Sequence, residues 1–350
     1  MKDINKILTY VFIVLFIVVF SFYNFSDYKN FHKANYEIEN TKKLVNEKLS
    51  NFELEDIKKI NNINIYPTPD KDLLTKIVTD IDNAKEKIFL ETYILTEKKV
   101  QEALVRAKKR WINIKVILEK APYMAYNINN KSYQKLLNAW IDVKWSDKDD
   151  YSFNHSKVLI IDDLSIISTG NFSYSTFTKN RDLFIFTKNE NINSKLIENF
   201  ENDYIWKKIN IFDENLIFSP NSSRVKFEKL FESAEENIKM YFQYIKDDEL
   251  LNKLIKIKNE KNIDIEIIIA ETAKDDENVI KLKKQWIKIK VMDKYKMHSK
   301  AILIDNKYLF VWSINFSDYS IDRNREIWIL IRNNEIINEF LYIYEQDIKN

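Results

Sequence analysis

Two stretches of the chain decide the fold: HSKVLIID at residues 155–162 and HSKAILID at residues 298–305. Each has a histidine, a lysine two residues later, and an aspartate after four apolar residues. Because side chains alternate along a strand, the histidine and the lysine face the same side. A continuous apolar run is typical of a strand buried on both faces. We therefore predict two buried strands, each with an HxK pair at its start and an aspartate at its end.

The sequence downstream of the two stretches matches as well. NFS at residues 171–173 matches 315–317, and NRD at 180–182 matches NRE at 324–326. In both copies the carboxylate lies eleven residues after the asparagine of NFS. The carboxylates Asp182 and Glu326 open strands, where each can fix the tautomer of a histidine through its second ring nitrogen. The duplication predicts that both copies build one shared site.

Strands and helices alternate through both copies, which indicates an α/β fold. Helices are predicted at 70–84, 97–110 and 131–139, and strands at 87–93, 112–118, 141–145, 157–161 and 183–186. The second copy repeats the order, with helical segments at 227–237, 248–260 and 277–285, and strands at 238–244, 263–269, 287–292, 301–304 and 327–331. We predict domains over residues 65–217 and 218–350.

The residue types suit phosphoryl transfer. Lysine and asparagine supply positive charge and hydrogen-bond donors to a phosphate where negative charge develops. One histidine can attack phosphorus to form a phosphohistidine, while the other protonates the leaving oxygen and then activates water or an alcohol. This chemistry requires no metal or other cofactor.

The motif resembles HxKxxxxD followed by GSxN, the signature of the phospholipase D superfamily, over about residues 65–340. The resemblance implies two tandem α/β sandwich domains with a shared active site and a ping-pong mechanism. It also implies roles for particular residues. His155 and His298 are nucleophile and general acid, with His155 favoured as nucleophile. Lys157, Lys300, Asp162 and Asp305 complete the catalytic motifs. Phosphate binding is expected from Lys157, Lys300, Asn171, Asn315, Thr169 and Ser313.

The chain departs from that signature in two places. The first copy reads Ser168-Thr169-Gly170-Asn171 where the superfamily has GSxN, although Thr169 still offers a hydroxyl. The second copy reads Trp312-Ser313-Ile314-Asn315, and a tryptophan beside a phosphate pocket is expected to block that half of the site.

Trp312 is one of four tryptophans at positions that favour glycine. Trp111, Trp140 and Trp286 each follow a helix and precede a strand, where glycine or asparagine adopts the left-handed conformation. The chain has a single glycine, whereas average usage predicts roughly 25. We hypothesise that a reassigned stop codon, read as glycine in the source organism, has been translated as tryptophan at these four positions.

The N-terminal region predicts membrane attachment. Residues 7–23 form an uncharged run of 17 residues, close to the lower length limit for a membrane span. We predict a transmembrane anchor over residues 1–26 and a polar stalk over residues 27–64. The expected location is the cell membrane, through a single-pass anchor. The lysines on either side of the run discriminate orientation weakly, and an outward-facing catalytic region is favoured.

Composition narrows the function classes. The absence of cysteine excludes disulfides and thiol nucleophiles, and a net charge of +2 does not predict a nucleic-acid-coating protein. The expected function is a membrane-anchored phospholipase D-like enzyme that hydrolyses or transfers the phosphatidyl group of phospholipids. The alternatives are cardiolipin synthase-type transfer, a nuclease for DNA or RNA, and a non-catalytic phosphate- or lipid-binding module. Its expected partners are the phospholipid membrane and the phospholipid substrate, with nucleic acid as a less favoured partner, and no obligate protein partner is evident.

Overall fold

The described chain contains two copies of one α/β unit. The computed structural model describes residues 39–147, 151–207, 210–313 and 317–349. A helix, α1, over residues 39–51 precedes both copies. The first copy contains, in order, β1 (Ile63–Pro67), α2 (Lys71–Asn83), β2 (Lys87–Thr92), α3 (Lys98–Lys109), β3 (Asn113–Leu118), α4 (Asn130–Asn138), β4 (Asp142–Trp145), β5 (Lys157–Ile161), β6 (Leu164–Ser168), α5 (Tyr174–Thr178), β7 (Asn180–Arg181), β8 (Leu183–Thr187) and α6 (Glu190–Tyr204).

The second copy follows with the same kinds of element. It contains β9 (Leu216–Ser219), α7 (Ser223–Ser233), β10 (Asn237–Phe242), α8 (Asp248–Lys261), β11 (Asp264–Ala270), α9 (Glu277–Lys284), β12 (Lys288–Met292), β13 (Lys296–Met297), β14 (Ala301–Ile304), β15 (Tyr308–Trp312), α10 (Asp318–Asp322), β16 (Glu326–Ile331) and α11 (Asn334–Lys349). The predicted strands and helices are present, with shifts of a few residues at their ends. The helix predicted at 227–237 shifts most and begins at Ser223.

The two copies share one sheet topology. Among the described residues, the first seven-stranded sheet has the order β1-β8-β6-β5-β2-β3-β4, and the second has β9-β16-β15-β14-β10-β11-β12. In both sheets the last three strands are parallel and the other neighbours are antiparallel. The internal duplication predicted from the sequence is thereby confirmed. The sequence did not predict strands β1, β6, β7, β9, β13 and β15.

The two sheets pack face to face. Alternate residues of both sheets join one buried cluster that also contains side chains from α6 and α11, for example Phe89 of β2, which stacks on Phe200 of α6 at 4.8 Å between ring centroids. The outer faces pack against helices in two further clusters, one for each copy. This arrangement brings the starts of β5 and β14 to the junction between the copies, where the two HxK pairs lie.

The stalk prediction is wrong for the part of residues 27–64 that the structure describes. Phe52, Leu54 and Ile57 are buried in the outer core of the second copy, and β1 pairs with β8 from Ile63 onward. Widely spaced apolar residues in a polar segment concealed this packing. The second unit also begins slightly earlier than predicted, since β9 starts at Leu216.

The predicted anchor over residues 1–26 lies outside the described residues. Within residues 39–147, 151–207, 210–313 and 317–349, no helix combines the length and apolarity needed to cross a membrane.

Three of the four suspect tryptophans have the predicted backbone conformation. Trp111, Trp140 and Trp286 have φ of 67°, 59° and 60°, and their side chains are 87–91% exposed. A left-handed conformation is unfavourable for a side chain with a Cβ atom, and here no burial compensates for it. Asn262, which occupies the position of Trp111 in the second copy, also has positive φ, at 53°. Trp206, which was not predicted, joins the group with φ of 56°.

Candidate active site

Each histidine of the two motifs lies against a carboxylate of the other copy. His155 Nδ1 is 3.0 Å from both carboxylate oxygens of Glu326, and His298 Nδ1 is 2.7 Å from Asp182 Oδ1. Both carboxylates are buried. A carboxylate that accepts the Nδ1–H leaves Nε2 with a free lone pair, which is the nitrogen available for chemistry. The sequence motif did not reveal that the pairs cross between copies.

Backbone pairing between the copies sets this geometry. The His155 amide donates to the Arg325 carbonyl at 2.9 Å, and the His298 amide donates to the Arg181 carbonyl at 3.1 Å. β7 pairs in parallel with β13, and Asn154 forms a parallel bridge with Arg325. The segment before each histidine therefore lies beside the segment before the opposite carboxylate.

Serines and arginines that sequence reasoning missed hold the same junction. Ser156 Oγ donates to the Arg325 carbonyl and Ser299 Oγ to the Arg181 carbonyl. The arginine side chains also cross, because Arg181 pairs with Asp347 of α11 and Arg325 pairs with Asp203 of α6. The arginine and the aspartate of one pair each lie 144 residues from their counterparts in the other pair, which is also the spacing between Asp182 and Glu326. This shared spacing was the signal in the sequence that could have revealed the arginine–aspartate pairs.

The two lysines of the motifs are buried at the same junction. Lys157 Nζ donates to the His155 carbonyl at 2.7 Å. Lys300 Nζ has no hydrogen-bond partner among the residues the structure describes. Burial is the main cause that lowers the pKa of Lys157 to about 7 and that of Lys300 to about 8. A buried ammonium without a partner is costly, and an anionic ligand would offset that cost.

The two histidine–carboxylate pairs differ in charge. Burial raises the pKa of Glu326 to about 8, against the opposing effect of Lys157. Burial also works to raise the pKa of Asp182, but His298, Lys300 and the Thr169 hydroxyl outweigh it, and the pKa lies below its ordinary value. Burial and the nearby lysines lower the pKa of His155 strongly. They lower that of His298 as well, although Asp182 opposes the shift.

Thr169 and Ser313 support the carboxylates, and this corrects their predicted role in phosphate binding. Thr169 Oγ1 donates to Asp182 Oδ1 at 2.7 Å, and Ser313 Oγ donates to Glu326 Oε2. A hydroxyl has one proton to donate, so neither is free to donate to a phosphate in this arrangement.

Gly170, the single glycine of the sequence, lies against the same carboxylate. A Cβ atom at this position would come within 2.7 Å of Asp182 Cγ and Oδ2 and of Thr176 Cγ2. Any side chain here would displace the carboxylate that holds His298. Close approach, rather than a positive φ, therefore explains this glycine.

Of the two asparagines of the motif, the structure describes Asn171 and not Asn315. Asn171 lies three residues beyond β6 and is half-buried, and its buried Oδ1 has no partner in the described part of the chain. Asn315 lies outside the described residues, so its predicted role in phosphate binding stays a prediction.

Trp312 does not enter the site, which corrects the expectation that it blocks one half. It is fully buried in β15, and its ring packs against Phe227 at 5.3 Å and Phe242 at 5.8 Å between centroids, in the outer core. Since side chains alternate along a strand, Ser313 next to it points toward Glu326. Unlike Trp111, Trp140 and Trp286, Trp312 is not at positive φ, so its backbone gives no support to the glycine hypothesis.

Comparison with known proteins decides the family. A family model described as "Cardiolipin synthase, PLD-like domain" matches residues 77–204 and again residues 227–348, together more than two thirds of the chain. The chain belongs to the phospholipase D-like family. Its members act as phosphodiesterases and transphosphatidylases, and the two matches coincide with the two copies of the α/β unit.

Two curated relatives illustrate the range of phospholipase D-like proteins that match. A cardiolipin synthase of Clostridium perfringens (strain SM101 / Type A) is 29% identical over 128 residues, which are 35% of this chain and 26% of that protein. A phospholipase D of Rickettsia prowazekii (strain Madrid E) is 24% identical over 143 residues, 40% of this chain and 66% of that protein. The matches thus span about a quarter of the first relative and just under two thirds of the second.

Solved structures share the phospholipase D-like fold. A phosphatidylserine synthase from Haemophilus influenzae Rd KW20 superposes with a TM-score of 0.69 at 12% identity, covering 88% of this chain and 90% of that one. A polyphosphate kinase from Porphyromonas gingivalis superposes with a TM-score of 0.64 at 15% identity, covering 82% of this chain and 50% of that one. At these identities the likeness concerns the fold alone.

The aspartates that close the two phospholipase D-like motifs do not reach the site, which corrects their predicted catalytic role. Asp162 accepts hydrogen bonds from the amides of residues 85, 86 and 87, and Asp305 accepts them from the amides of residues 235, 236 and 237. Each lies beyond its strand, at the end opposite the histidine, seven residues and roughly 23 Å along the chain at strand geometry. Each aspartate therefore joins a strand end to the loop before the neighbouring strand.

One aromatic residue beside the histidines was also missed. The Tyr93 ring lies edge-on to the His155 ring at 4.5 Å between centroids, and Lys157 Nζ lies 5.4 Å from the centre of the same ring. No group of three His, Cys, Asp or Glu side chains in the described ranges is arranged to hold a metal ion.

Proposed function

We propose that the chain cleaves the phosphodiester bond of a phospholipid and transfers the phosphatidyl group to water or to an alcohol through a covalent phosphohistidine. The observation that carries this proposal is the crossed pair of buried histidine–carboxylate contacts at one junction, beside Lys157 and Lys300. Two histidines in different electrostatic environments, together with two buried lysines, suit a two-step displacement at phosphorus.

In the first step we assign the nucleophile to His155. Its strongly lowered pKa keeps the imidazole neutral, and Glu326 accepts the Nδ1–H, so that the Nε2 lone pair can attack phosphorus. The bond from phosphorus to the alcohol oxygen breaks as the bond to Nε2 forms. His298 gives its proton to the departing oxygen and becomes neutral. The products of this step are phosphatidyl-His155 and the free alcohol.

In the second step His298 acts as the base. It removes a proton from water or from an acceptor alcohol, whose oxygen attacks phosphorus and releases Nε2 of His155. The ionised Asp182 stabilises the imidazolium that forms on His298. Lys157 and Lys300 neutralise the charge on the non-bridging phosphate oxygens through both steps.

The choice of phospholipid over nucleic acid rests on the sequence and the relatives. The apolar run at residues 7–23 would hold the chain at a membrane, with the catalytic region on the outer side favoured. The relatives are named cardiolipin synthase and phospholipase D. Transfer to a second lipid, as the first name indicates, is the alternative outcome of the same second step. The main argument for a non-catalytic binding module was that Trp312 would block one half of the site. Trp312 instead packs away from the histidines, in the outer core.

The test is turnover by the full chain in mixed phospholipid vesicles, with headgroup release and new lipid products measured together. His155→Ala and His298→Ala are each expected to lower turnover at least about a hundredfold, the usual range for losing a nucleophile or a general acid. His32→Ala, which alters the third histidine of the chain, serves as the matched control and is expected to keep full activity.

The outcomes separate the candidate functions. Headgroup release with water alone supports hydrolysis, and a lipid product that grows with added glycerol or phosphatidylglycerol supports transfer. Cleavage of single-stranded DNA without lipid turnover would overturn the proposal in favour of a nuclease. Binding of phospholipid with no turnover by the unaltered chain would leave the binding module.

A further inference from the structure

The loop between β3 and α4 exposes a dense group of apolar side chains. In this loop, residues 119–129, Tyr123 is 68% exposed, Met124 81%, Tyr126 63% and Ile128 40%. Isolated exposed apolar residues are ordinary, whereas a contiguous group marks an interaction surface.

The base of the loop is rigid, and it is joined to the active site. Asn129 is buried and donates to the carbonyls of Tyr93 and Glu119, and its Oδ1 accepts the Leu95 amide. At the other end, Glu119 accepts the Ala121 amide. Between these ends, the Tyr123 amide donates to the Tyr93 hydroxyl at 2.6 Å. Since the Tyr93 ring packs on His155, two contacts lead from the exposed loop to the nucleophile.

The loop also lies near the second copy. Burial is the main cause that raises the pKa of Tyr244 in the second copy, and Glu326 and Tyr123 add to it, so both groups lie within electrostatic range of Tyr244. Tyr93 contacts both Tyr123 of the loop and His155, which lies against Glu326 of the second copy, so the loop lies close to the junction of the two copies.

The second copy supplies an internal comparison. Its equivalent loop joins β11 to α9 through residues 271–276, with sequence ETAKDD, and is five residues shorter than EKAPYMAYNIN at 119–129. Lys274 and Asp275 are exposed there. The repeat fold therefore does not require an apolar loop at this position, and the extension belongs to the copy whose histidine Tyr93 contacts.

We propose that the 119–129 loop enters the headgroup region of a phospholipid bilayer and seats the active site on the membrane surface. The inference rests on the proposed function and adds the surface through which the substrate is reached. Tyrosine is favoured at the boundary between water and acyl chains, because its ring is apolar and its hydroxyl stays hydrated. Met124 and Ile128 supply apolar area. The exposed Lys120, near the start of the loop, and Lys131, just after it, add positive charge suited to anionic lipids.

A bilayer suits this loop better than a nucleic acid. Stacking on bases uses aromatic rings within a positively charged groove, whereas the most exposed apolar side chain of this loop is the aliphatic Met124, and the loop contains no arginine. Single-stranded DNA is nevertheless kept as a competing ligand in the test.

The absence of cysteine from the chain allows a clean probe of this surface. Met124→Cys in the full chain is labelled with an environment-sensitive fluorophore and reconstituted in vesicles of phosphatidylcholine and phosphatidylglycerol. The emission is expected to shift to the blue and to be quenched by lipids with a nitroxide near the headgroup. Asp275→Cys, on the equivalent loop of the second copy, is the matched control and is expected to stay in water.

A second measurement links the surface to turnover. The double variant carries Met124→Asn and Tyr126→Ser. Asparagine is chosen at position 124 because it tolerates the positive φ of 55° found there. The activity of this double variant on vesicle phospholipid is expected to fall at least about tenfold, because two large apolar side chains no longer bind the bilayer. Its activity on a short-chain phospholipid below the micellar concentration is expected to be unchanged.

The results separate this inference from the proposed function. No turnover of either lipid by the unaltered chain contradicts the proposed function, while lipid quenching at position 124 but not 275 still supports the membrane surface. Equal quenching at both positions, or normal vesicle turnover by the double variant, overturns the inference. Quenching relieved by single-stranded DNA and absent with lipid alone would assign the loop to nucleic acid instead.

Discussion

His155 and His298 occupy equivalent positions in the two copies, yet the carboxylates that hold them differ. Glu326, beside His155, has its pKa raised by burial to about 8, whereas Asp182, beside His298, has its pKa held below the ordinary value by His298, Lys300 and Thr169 despite burial. The first histidine is surrounded by Tyr93 and Lys157, while the second keeps an ionised partner. One duplicated motif therefore provides two chemically distinct histidines.

The difference arises from a few residues outside the motif itself. A glutamate in one copy replaces the aspartate of the other, and Ser313 replaces Thr169 as its hydroxyl donor. Duplication sets the geometry through the crossed backbone pairing, and these local substitutions then set the charge. A nucleophile needs a neutral ring and a general acid needs a stabilised imidazolium, so the asymmetry suits a division of labour.

Replacing the carboxylates is expected to give the largest difference in turnover between the two half-sites. Asp182→Asn is expected to slow turnover of a natural phospholipid about a hundredfold, because the imidazolium of His298 loses its counter-charge. With phosphatidyl-p-nitrophenol, whose leaving group needs no proton, the first step is expected to slow much less, and this rate is measured as the initial burst of p-nitrophenol. Glu326→Gln acts on the nucleophile and is expected to slow both substrates alike. Equal behaviour of the two variants on both substrates would contradict the assigned roles.

The pH dependence of kcat/KM sharpens the same comparison. A carboxyl group with its pKa raised to about 8 is protonated below that pH and cannot accept the Nδ1–H of His155. With phosphatidyl-p-nitrophenol, whose departure needs no protonated His298, kcat/KM is therefore expected to rise with pH up to about 8, changing about tenfold per unit well below it. The limb should vanish in Glu326→Gln and persist in Asp182→Asn. A limb that survives in Glu326→Gln would belong to another group.

The aspartates of the motif are expected to behave alike in the two copies and differently from the histidines. Asp162→Ala and Asp305→Ala each remove three hydrogen bonds from backbone amides, which is expected to lower the free energy of unfolding by about 2 kcal/mol. Because neither side chain reaches the site, kcat of the folded variants should stay within about twofold of the unaltered chain. Urea unfolding beside steady-state kinetics makes the measurement. A selective loss of kcat without loss of stability would restore a catalytic role.

The smallest expected effect concerns the exposed tryptophans. Trp111→Gly and Trp286→Gly are each expected to raise the free energy of unfolding by about 1 kcal/mol, because glycine adopts positive φ without strain. Asn262→Gly, at the position that matches Trp111, is the control and should change stability less. The codons for Trp111, Trp140, Trp206 and Trp286 give a direct check. Ordinary tryptophan codons there would reject the decoding hypothesis.

Much of the fold and of the candidate site could be predicted from the sequence, and the features that could not be predicted have physical causes. Alternation and duplication located the buried strands and the two HxK pairs, because strand periodicity is local. The crossing of each carboxylate to the other copy is a long-range contact, which periodicity within one segment cannot show. The predicted catalytic role of the aspartates was wrong because each follows a strand of four or five residues, and the far end of that strand lies far from the histidine at its start. Trp312 misled because the face on which a side chain lies depends on β15, which was not predicted.

The most direct test of the assignment is to trap the covalent intermediate. His298→Asn with phosphatidyl-p-nitrophenol removes the base for the second step while the leaving group departs without an acid. The account predicts a burst of about one p-nitrophenol per chain and a phosphatidyl adduct, labile in acid and stable in alkali, that maps to His155. His155→Asn should give no burst. An adduct on His298 in His155→Asn, with none on His155 in His298→Asn, would contradict the assignment of the two histidines.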